Sequence, residues 1–114
     1  MKIVLLAALC AAIAAPAAFA TSPTLTGTVG PGFTITLKQG SKTVKSLKAG
    51  SYVFKISDKS NIHNFHLTGP GVNKKTSVSG TGSSTWTVTL KEGTYKFVCD
   101  PHKAIMHGSF KVTS

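Results

Sequence analysis

Arginine is absent from this chain of 114 residues, and only three acidic residues, Asp58, Glu92 and Asp100, oppose its thirteen lysines. Without arginine, which pairs most often with guanine bases, nucleic acid is a poor candidate partner. So few acids, with no nucleophile motif for them to assist, leave a serine or cysteine hydrolase unsupported. The net charge of +10 instead favours an anionic protein surface as the partner.

Long apolar runs are lacking beyond residue 20, so no transmembrane segment is predicted in the mature chain. Residues 1–20 differ from the rest. A positive start is followed by an apolar run too short to span a bilayer and then by the small-x-small sequence Ala18-Phe19-Ala20. We therefore expect a cleaved signal peptide over residues 1–20 and a single domain over residues 21–114. The mature protein would then be periplasmic or secreted.

Cysteine is scarce as well: Cys10 lies in the expected signal peptide, and Cys99 is the one cysteine left in the mature chain. A single thiol excludes an internal disulfide. In an oxidising compartment three interpretations of Cys99 remain, namely a buried inert thiol, an intermolecular disulfide or a metal ligand.

What the chain does contain is short runs of alternating apolar and polar residues between turns rich in glycine and proline. This pattern predicts an all-β protein, a Greek-key β-sandwich of about seven to eight strands. The predicted strands cover residues 24–29, 33–38, 51–57, 62–67, 84–90, 94–99 and 109–113, and residues 72–83 are predicted as a loop or ragged edge. The period-two alternation assigns the following side chains to the inner faces: Phe33, Ile35, Leu37, Tyr52, Phe54, Ile56, Trp86, Val88, Leu90, Tyr95, Phe97, Cys99, Phe110 and Val112.

A cluster of candidate metal ligands follows the strand that ends at Cys99. The sequence CDPHKAIMHG places Cys99, His102 and Met106 within eight positions. Thiolate and thioether sulfur together with imidazole select copper over hard cations. Two histidines and a cysteine with a weak axial methionine form a blue-copper site, so this segment supplies three of the four ligands and lacks one imidazole.

His63 is the best source of the missing imidazole. In a strand, His63 shares a face with Phe65 and Leu67, whereas Asn64 and His66 face the other way. If the two apolar side chains face the core, so does His63. The same argument predicts His66 as an exposed strand histidine and not as a ligand.

These residues resemble a known family. The sequence GTYKFVC, followed by DPH and then MHGSFKV, is similar to the C-terminal signature of the cupredoxins, and most like the plastocyanin, pseudoazurin and amicyanin branch. His63-Asn64 resembles the upstream His-Asn pair of that branch. The resemblance extends over most of the mature chain, roughly from Thr24 to Thr113.

The resemblance implies that His63, Cys99 and His102 form a trigonal plane around one copper ion, with Met106 as the axial ligand. Three residues separate His102 from Met106, a spacing that differs from those of the relatives. His107, which follows Met106 directly, or a water molecule therefore stays an alternative axial ligand.

The resemblance also assigns roles to residues around the ligands. Asn64 would join the upstream loop to the cysteine loop by hydrogen bonds, and Tyr95 would form a tyrosine corner with the backbone. Pro101 has no amide hydrogen to donate to the Cys99 sulfur, which should affect the reduction potential. His102 would lie near the surface in an apolar patch and serve as the port for electrons.

The function that follows is one-electron transfer between protein partners by a monomer that cycles between Cu(I) and Cu(II). Its lysines would attract a redox partner with an acidic docking surface. An enzyme is not expected, because the chain has no His-x-His pair for a trinuclear copper centre and is too short for a second copper domain. The alternative is a non-redox copper carrier or buffering module that uses the same ligands.

Overall fold

The computed structural model describes residues 21–114, so the predicted signal peptide lies outside the described residues. Ten strands form in chain order: β1 (Thr24–Val29), β2 (Ile35–Gln39), β3 (Lys42–Thr43), β4 (Ser46–Lys48), β5 (Gly50–Asp58), β6 (His66–Gly69), β7 (Val72–Lys75), β8 (Gly82–Leu90), β9 (Gly93–Val98) and β10 (His107–Thr113). The helical structure of residues 21–114 is limited to one 3-10 turn over Asp100–His102. None of the helical structure in this part of the chain has the length and hydropathy that crossing a bilayer requires.

The strands make two five-stranded sheets, in the orders β3-β2-β1-β5-β8 and β4-β10-β9-β6-β7. Pairing is antiparallel except between β1 and β5 and between β4 and β10. The predicted β-sandwich is confirmed, with ten strands instead of seven or eight. The additional strands β3, β4 and β7 are short and lie at sheet edges, where most of their residues are exposed and show little alternation. The prediction of a loop or ragged edge over residues 72–83 agrees with the edge position of β7, but a loop is wrong for Val72–Lys75 and for residues 82–83, which begin β8.

The core lies between the two sheets and holds most of the side chains that alternation assigns to it. Two stacked pairs of rings lie in it, Phe65 with Phe97 and Tyr95 with Phe110, each with centroids 5.4 Å apart. Burying each such side chain stabilises the fold by roughly 1.5–3 kcal/mol. The assignment is wrong for Phe33, which is exposed, and too strong for Ile35 and Trp86, which are only half-buried.

The segment that carries His63 is not the strand that was predicted. β6 begins only at His66, and residues 63–65 form no regular structure. His63, Asn64 and Phe65 are all buried in succession. His63 does face the interior as expected, but Asn64 does so too, because without a strand the two need not point in opposite directions.

Tyr95 forms the tyrosine corner that the family resemblance implies. Its hydroxyl donates to the backbone oxygen of Pro70 at 3.0 Å and accepts the backbone N–H of Lys91 at 2.9 Å. The buried ring lies directly against the backbone of Gly69, where a Cβ atom would overlap the ring carbons. The corner therefore anchors the end of β6 to the start of β9, the two strands that lead to the candidate site.

Candidate metal centre

Three side chains from two separate parts of the chain meet at one end of the sandwich. Cys99 directly follows β9, His102 ends the 3-10 turn, and His63 comes from the connection between β5 and β6. The Nδ1 atoms of the two histidines are 3.1 Å apart, and the Cys99 Sγ is 3.6 Å from that of His63 and 3.5 Å from that of His102. Of these residues, His63 and Cys99 are fully buried.

These three atoms fit a single metal ion. Ligand atoms about 2.0–2.3 Å from a common ion and separated by roughly tetrahedral or trigonal angles lie about 3–4 Å from one another. The separations of 3.1 to 3.6 Å agree with this requirement. Two imidazole nitrogens and a sulfur offer more lone pairs than hydrogen-bond donors to one another. A cation at their centre would accept all three lone pairs. The combination of imidazole and thiolate is one that copper prefers.

The loop after Cys99 closes on itself through backbone hydrogen bonds. The N–H of His102 donates to the Cys99 oxygen at 3.0 Å, the N–H of Met106 donates to the His102 oxygen at 2.8 Å, and the N–H of Cys99 donates to the Met106 oxygen at 3.0 Å. This closure leaves the Met106 side chain fully buried, whereas His107 starts β10 with its side chain exposed. The role of Met106 as the axial ligand stays a prediction.

Asn64 joins the two ligand-bearing segments, as the family resemblance implies. Its Oδ1 accepts the backbone N–H of Asp100 at 2.7 Å, and its Nδ2 donates to the Asp100 carboxylate at 2.8 Å and to the Thr76 oxygen at 3.3 Å. Burial raises the pKa of the Asp100 carboxyl, but the hydrogen bonds from Asn64 and His66 and the charges of His66 and Lys103 outweigh it, and the net pKa lies below 3.8. Asp100 is therefore ionised at neutral pH.

An exposed aromatic ring covers the histidines. Phe33 is 55% exposed, and its ring packs edge-on against His63 and His102, with centroid distances of 5.3 Å and 5.0 Å. Alternation counted Phe33 into β2, but β2 starts at Ile35, after the turn through Gly30-Pro31-Gly32. The turn in the sequence could have indicated that Phe33 lies outside the strand and does not follow its alternation.

The prediction of an exposed His66 is wrong, although His66 is indeed outside the ligand cluster. The ring is half-buried, and its Nδ1 bonds to the Asp100 carboxylate at 2.9 Å. Its Nε2 lies 2.6 Å from Oδ1 of Asn73 in β7. Strand parity could not reveal this contact, because Asp100 arrives from a different part of the chain.

A two-sheet sandwich with a cysteine and two histidines converging at one end defines a cupredoxin, a copper protein with a single metal site. Residues 34–113 match the sequence model of the copper binding proteins of the plastocyanin/azurin family, and the chain belongs to this family. No curated protein sequence is significantly similar to it.

Solved structures of rusticyanin are similar in fold. A structure of this copper protein has a TM-score of 0.60 at 18% identity, over 79% of this chain and 76% of that chain. Reduced rusticyanin has a TM-score of 0.57 at 20% identity, over 79% and 78% of the two chains. Rusticyanin from Thiobacillus ferrooxidans has a TM-score of 0.55 at 20% identity, over 79% and 76%.

Proposed function

We propose that this protein is an exported blue copper protein with one metal site, which carries single electrons between redox proteins and is not an enzyme. The observation that most directly supports the proposal is the convergence of the His63, Cys99 and His102 ligand atoms within 3.1–3.6 Å of one another. Bound copper would supply the Cu(I)/Cu(II) couple, with these three residues as strong ligands and Met106 as a weak fourth.

The protein's part is to hold these ligand atoms in nearly the same positions before and after electron transfer. His63 and Cys99 are buried, and Asn64 hydrogen-bonds the His63 segment to the cysteine loop. The backbone bonds within the loop restrain His102 and Met106 as well. Little rearrangement would then accompany the gain or loss of an electron.

Electrons would enter and leave through His102, which is half-buried. The apolar side chains around the ligand segments are exposed: Phe33 by 55%, Ile62 by 49% and Ile105 by 64%. Phe33 contacts the His102 ring directly. A partner that covered this apolar surface would come close to the His102 ring.

The charge distribution favours an acidic partner. Every lysine of residues 21–114 is exposed. Of the three acids, Asp58 is buried and Asp100 is hydrogen-bonded to His66, which leaves Glu92 as the exposed acid of this part of the chain. The positive surface would steer the encounter with an acidic redox protein and raise the association rate more than the affinity.

The test is to add Cu(II) to the purified protein. A strong visible absorption from thiolate-to-copper charge transfer is expected, and a mild reductant should bleach it reversibly. Cys99→Ser should abolish the colour. A colourless copper complex would contradict the proposal and favour a copper carrier or buffering module, and a protein that binds no copper would contradict both.

Two variants test the axial ligand. Met106→Leu should shift the spectrum and the reduction potential while copper stays bound, and the matched variant His107→Gln should leave both unchanged. The opposite result would assign the axial position to His107. No effect of either variant would indicate a water molecule or an open position.

We also propose that residues 1–20 are a signal peptide that is removed during export to a periplasm or out of the cell. The support is the sequence pattern that ends in Ala18-Phe19-Ala20. Expression of the full chain in a bacterium, followed by N-terminal sequencing of the exported protein, should give Thr21 as the first residue. Retention of the protein in the cell with its first twenty residues intact would contradict export.

A further inference from the structure

A polar network outside the ligand set reaches the metal centre from the strands β6 and β7. His66 in β6 lies at its middle. The His66 Nδ1 is 2.9 Å and 3.1 Å from the two carboxylate oxygens of Asp100, and its Nε2 is 2.6 Å from Oδ1 of Asn73 in β7. The ring is thus held between a carboxylate of the ligand loop and an amide of the edge strand.

The position of Asp100 gives this network its importance for the site. Asp100 directly follows Cys99, and both its backbone N–H and its carboxylate bond to Asn64, at 2.7 Å and 2.8 Å. Asn64 directly follows His63. The Asp100 carboxylate is therefore the shared partner of His66 and of the residue that joins the two ligand segments.

His66 restricts the orientations open to that carboxylate. The Asp100 side chain is 30% exposed, so without a partner on this side it could turn towards water and lose its bond to Asn64. The imidazole occupies both carboxylate oxygens and is itself anchored by Asn73. Its donated hydrogen bond also disperses a negative charge that lies one residue from Cys99.

We propose that His66 is a positioning residue of the copper site: by holding the Asp100 carboxylate, it keeps the His63 and Cys99 segments in register and raises the reduction potential. This inference rests on the proposed function. It extends the site beyond its ligands to a histidine whose ring hydrogen-bonds to Asp100 and Asn73 and to none of the ligand side chains.

The chain offers a matched control. Thr68 lies two residues from His66 on the same face of β6 and is half-buried like it, but it is not among the hydrogen-bond partners of Asp100. His66→Val should lower the reduction potential of the copper-loaded protein and shift its visible spectrum, whereas Thr68→Val should change neither. His66→Gln keeps a side-chain donor that can reach Asp100, so it should change the reduction potential and the spectrum less than His66→Val does.

The route through Asp100 has its own test. In an Asp100→Asn background, His66→Val should shift the potential much less than in the parent protein. An equal shift in both backgrounds, or an unchanged potential and spectrum in His66→Val, would overturn the inference.

A measurement without copper separates this inference from the proposed function. In the copper-free protein, His66→Val should speed hydrogen exchange of the Asp100 amide, which bonds to Asn64, and Thr68→Val should not. An unchanged exchange rate in His66→Val would overturn the inference whether or not the protein is blue. A colourless parent protein with the expected exchange rates would overturn the proposed function alone.

Discussion

The hydrogen bonds of Asn64 are the part of the site whose strength can be tested most directly, by the substitution Asn64→Ala. The side chain is 1% exposed and makes three hydrogen bonds. The substitution leaves the Asp100 backbone N–H without its partner, and it removes one of the two partners of the Asp100 Oδ2, which keeps only its contact with His66. The Thr76 oxygen loses a longer bond of 3.3 Å.

The expected loss of stability follows from these three bonds. The bond to the Asp100 N–H is between neutral groups and contributes about 1 kcal/mol, and the bond to the partly exposed carboxylate contributes about 1.5 kcal/mol. With about 0.5 kcal/mol for the longer third bond, the free energy of unfolding should fall by about 3 kcal/mol. In a domain of this size that corresponds to a decrease in Tm of roughly 12–24 °C.

Thermal unfolding of the copper-free protein, followed by circular dichroism, measures this loss. Asn61→Ala is the control, because Asn61 lies exposed in the turn of the same connection, and we expect a change within about 0.5 kcal/mol. If Asn64→Ala lowers stability by less than about 1 kcal/mol, the bonds to Asp100 do not hold the two segments together, and the reasoning on ligand positioning fails with them.

Four further measurements test other parts of the structure. Asp58→Asn should raise stability at neutral pH, since burial raises the pKa of Asp58 and its Oδ2 has no partner among the described residues, while an Asn oxygen can still accept the Ser60 N–H. Because the folded state binds the Asp58 proton more tightly than the unfolded state, this gain should be absent below pH 3.8, grow as the pH rises through the raised pKa of folded Asp58, and stay constant above it. A gain independent of pH over this whole range in urea unfolding would contradict the assignment. Tyr95→Phe removes both hydrogen bonds of the tyrosine corner without changing the ring, and urea unfolding should show a loss of about 2 kcal/mol. Gly69→Ala should cost about 2 kcal/mol because the added Cβ overlaps the Tyr95 ring, and a neutral result would refute the close contact. Finally, the rate of electron exchange with an acidic redox protein should fall as ionic strength rises from about 10 to 150 mM, whereas exchange with a basic one should not.

Strand positions were largely predictable because alternation is a property of the local chain. The predicted bounds of β1 are those observed, and the predicted β5, β8 and β9 differ from the observed strands by one or two residues at their ends. The edge strand β7 was missed because three of its four residues are exposed, so its sequence shows no inner face. Alternation also failed over residues 63–65, where a buried segment without strand structure carries a polar side chain inward.

Some features of the candidate site were also predictable from the sequence, and others were not. Cys99, His102 and Met106 are close in sequence, so their residue types and spacing predicted a metal-binding loop, and the structure brings the Cys99 and His102 ligand atoms within 3.5 Å of each other. The apolar residues Phe65 and Leu67 correctly indicated that His63 faces the interior. Nothing local showed that Phe33 packs against the histidines or that His66 bonds to Asp100.

The sequence by itself determined which donor atoms this protein offers, the position of most strands and the strong positive charge of the chain, because residue types and short-range periodicity are written directly in the chain. Only the tertiary structure decided that His63 comes within 3.6 Å of the Cys99 sulfur across 36 residues of sequence. It also decided which neighbours hold that arrangement in place. The reason is physical: such contacts depend on how two sheets pack and on where loops of particular length end, and no local pattern encodes either.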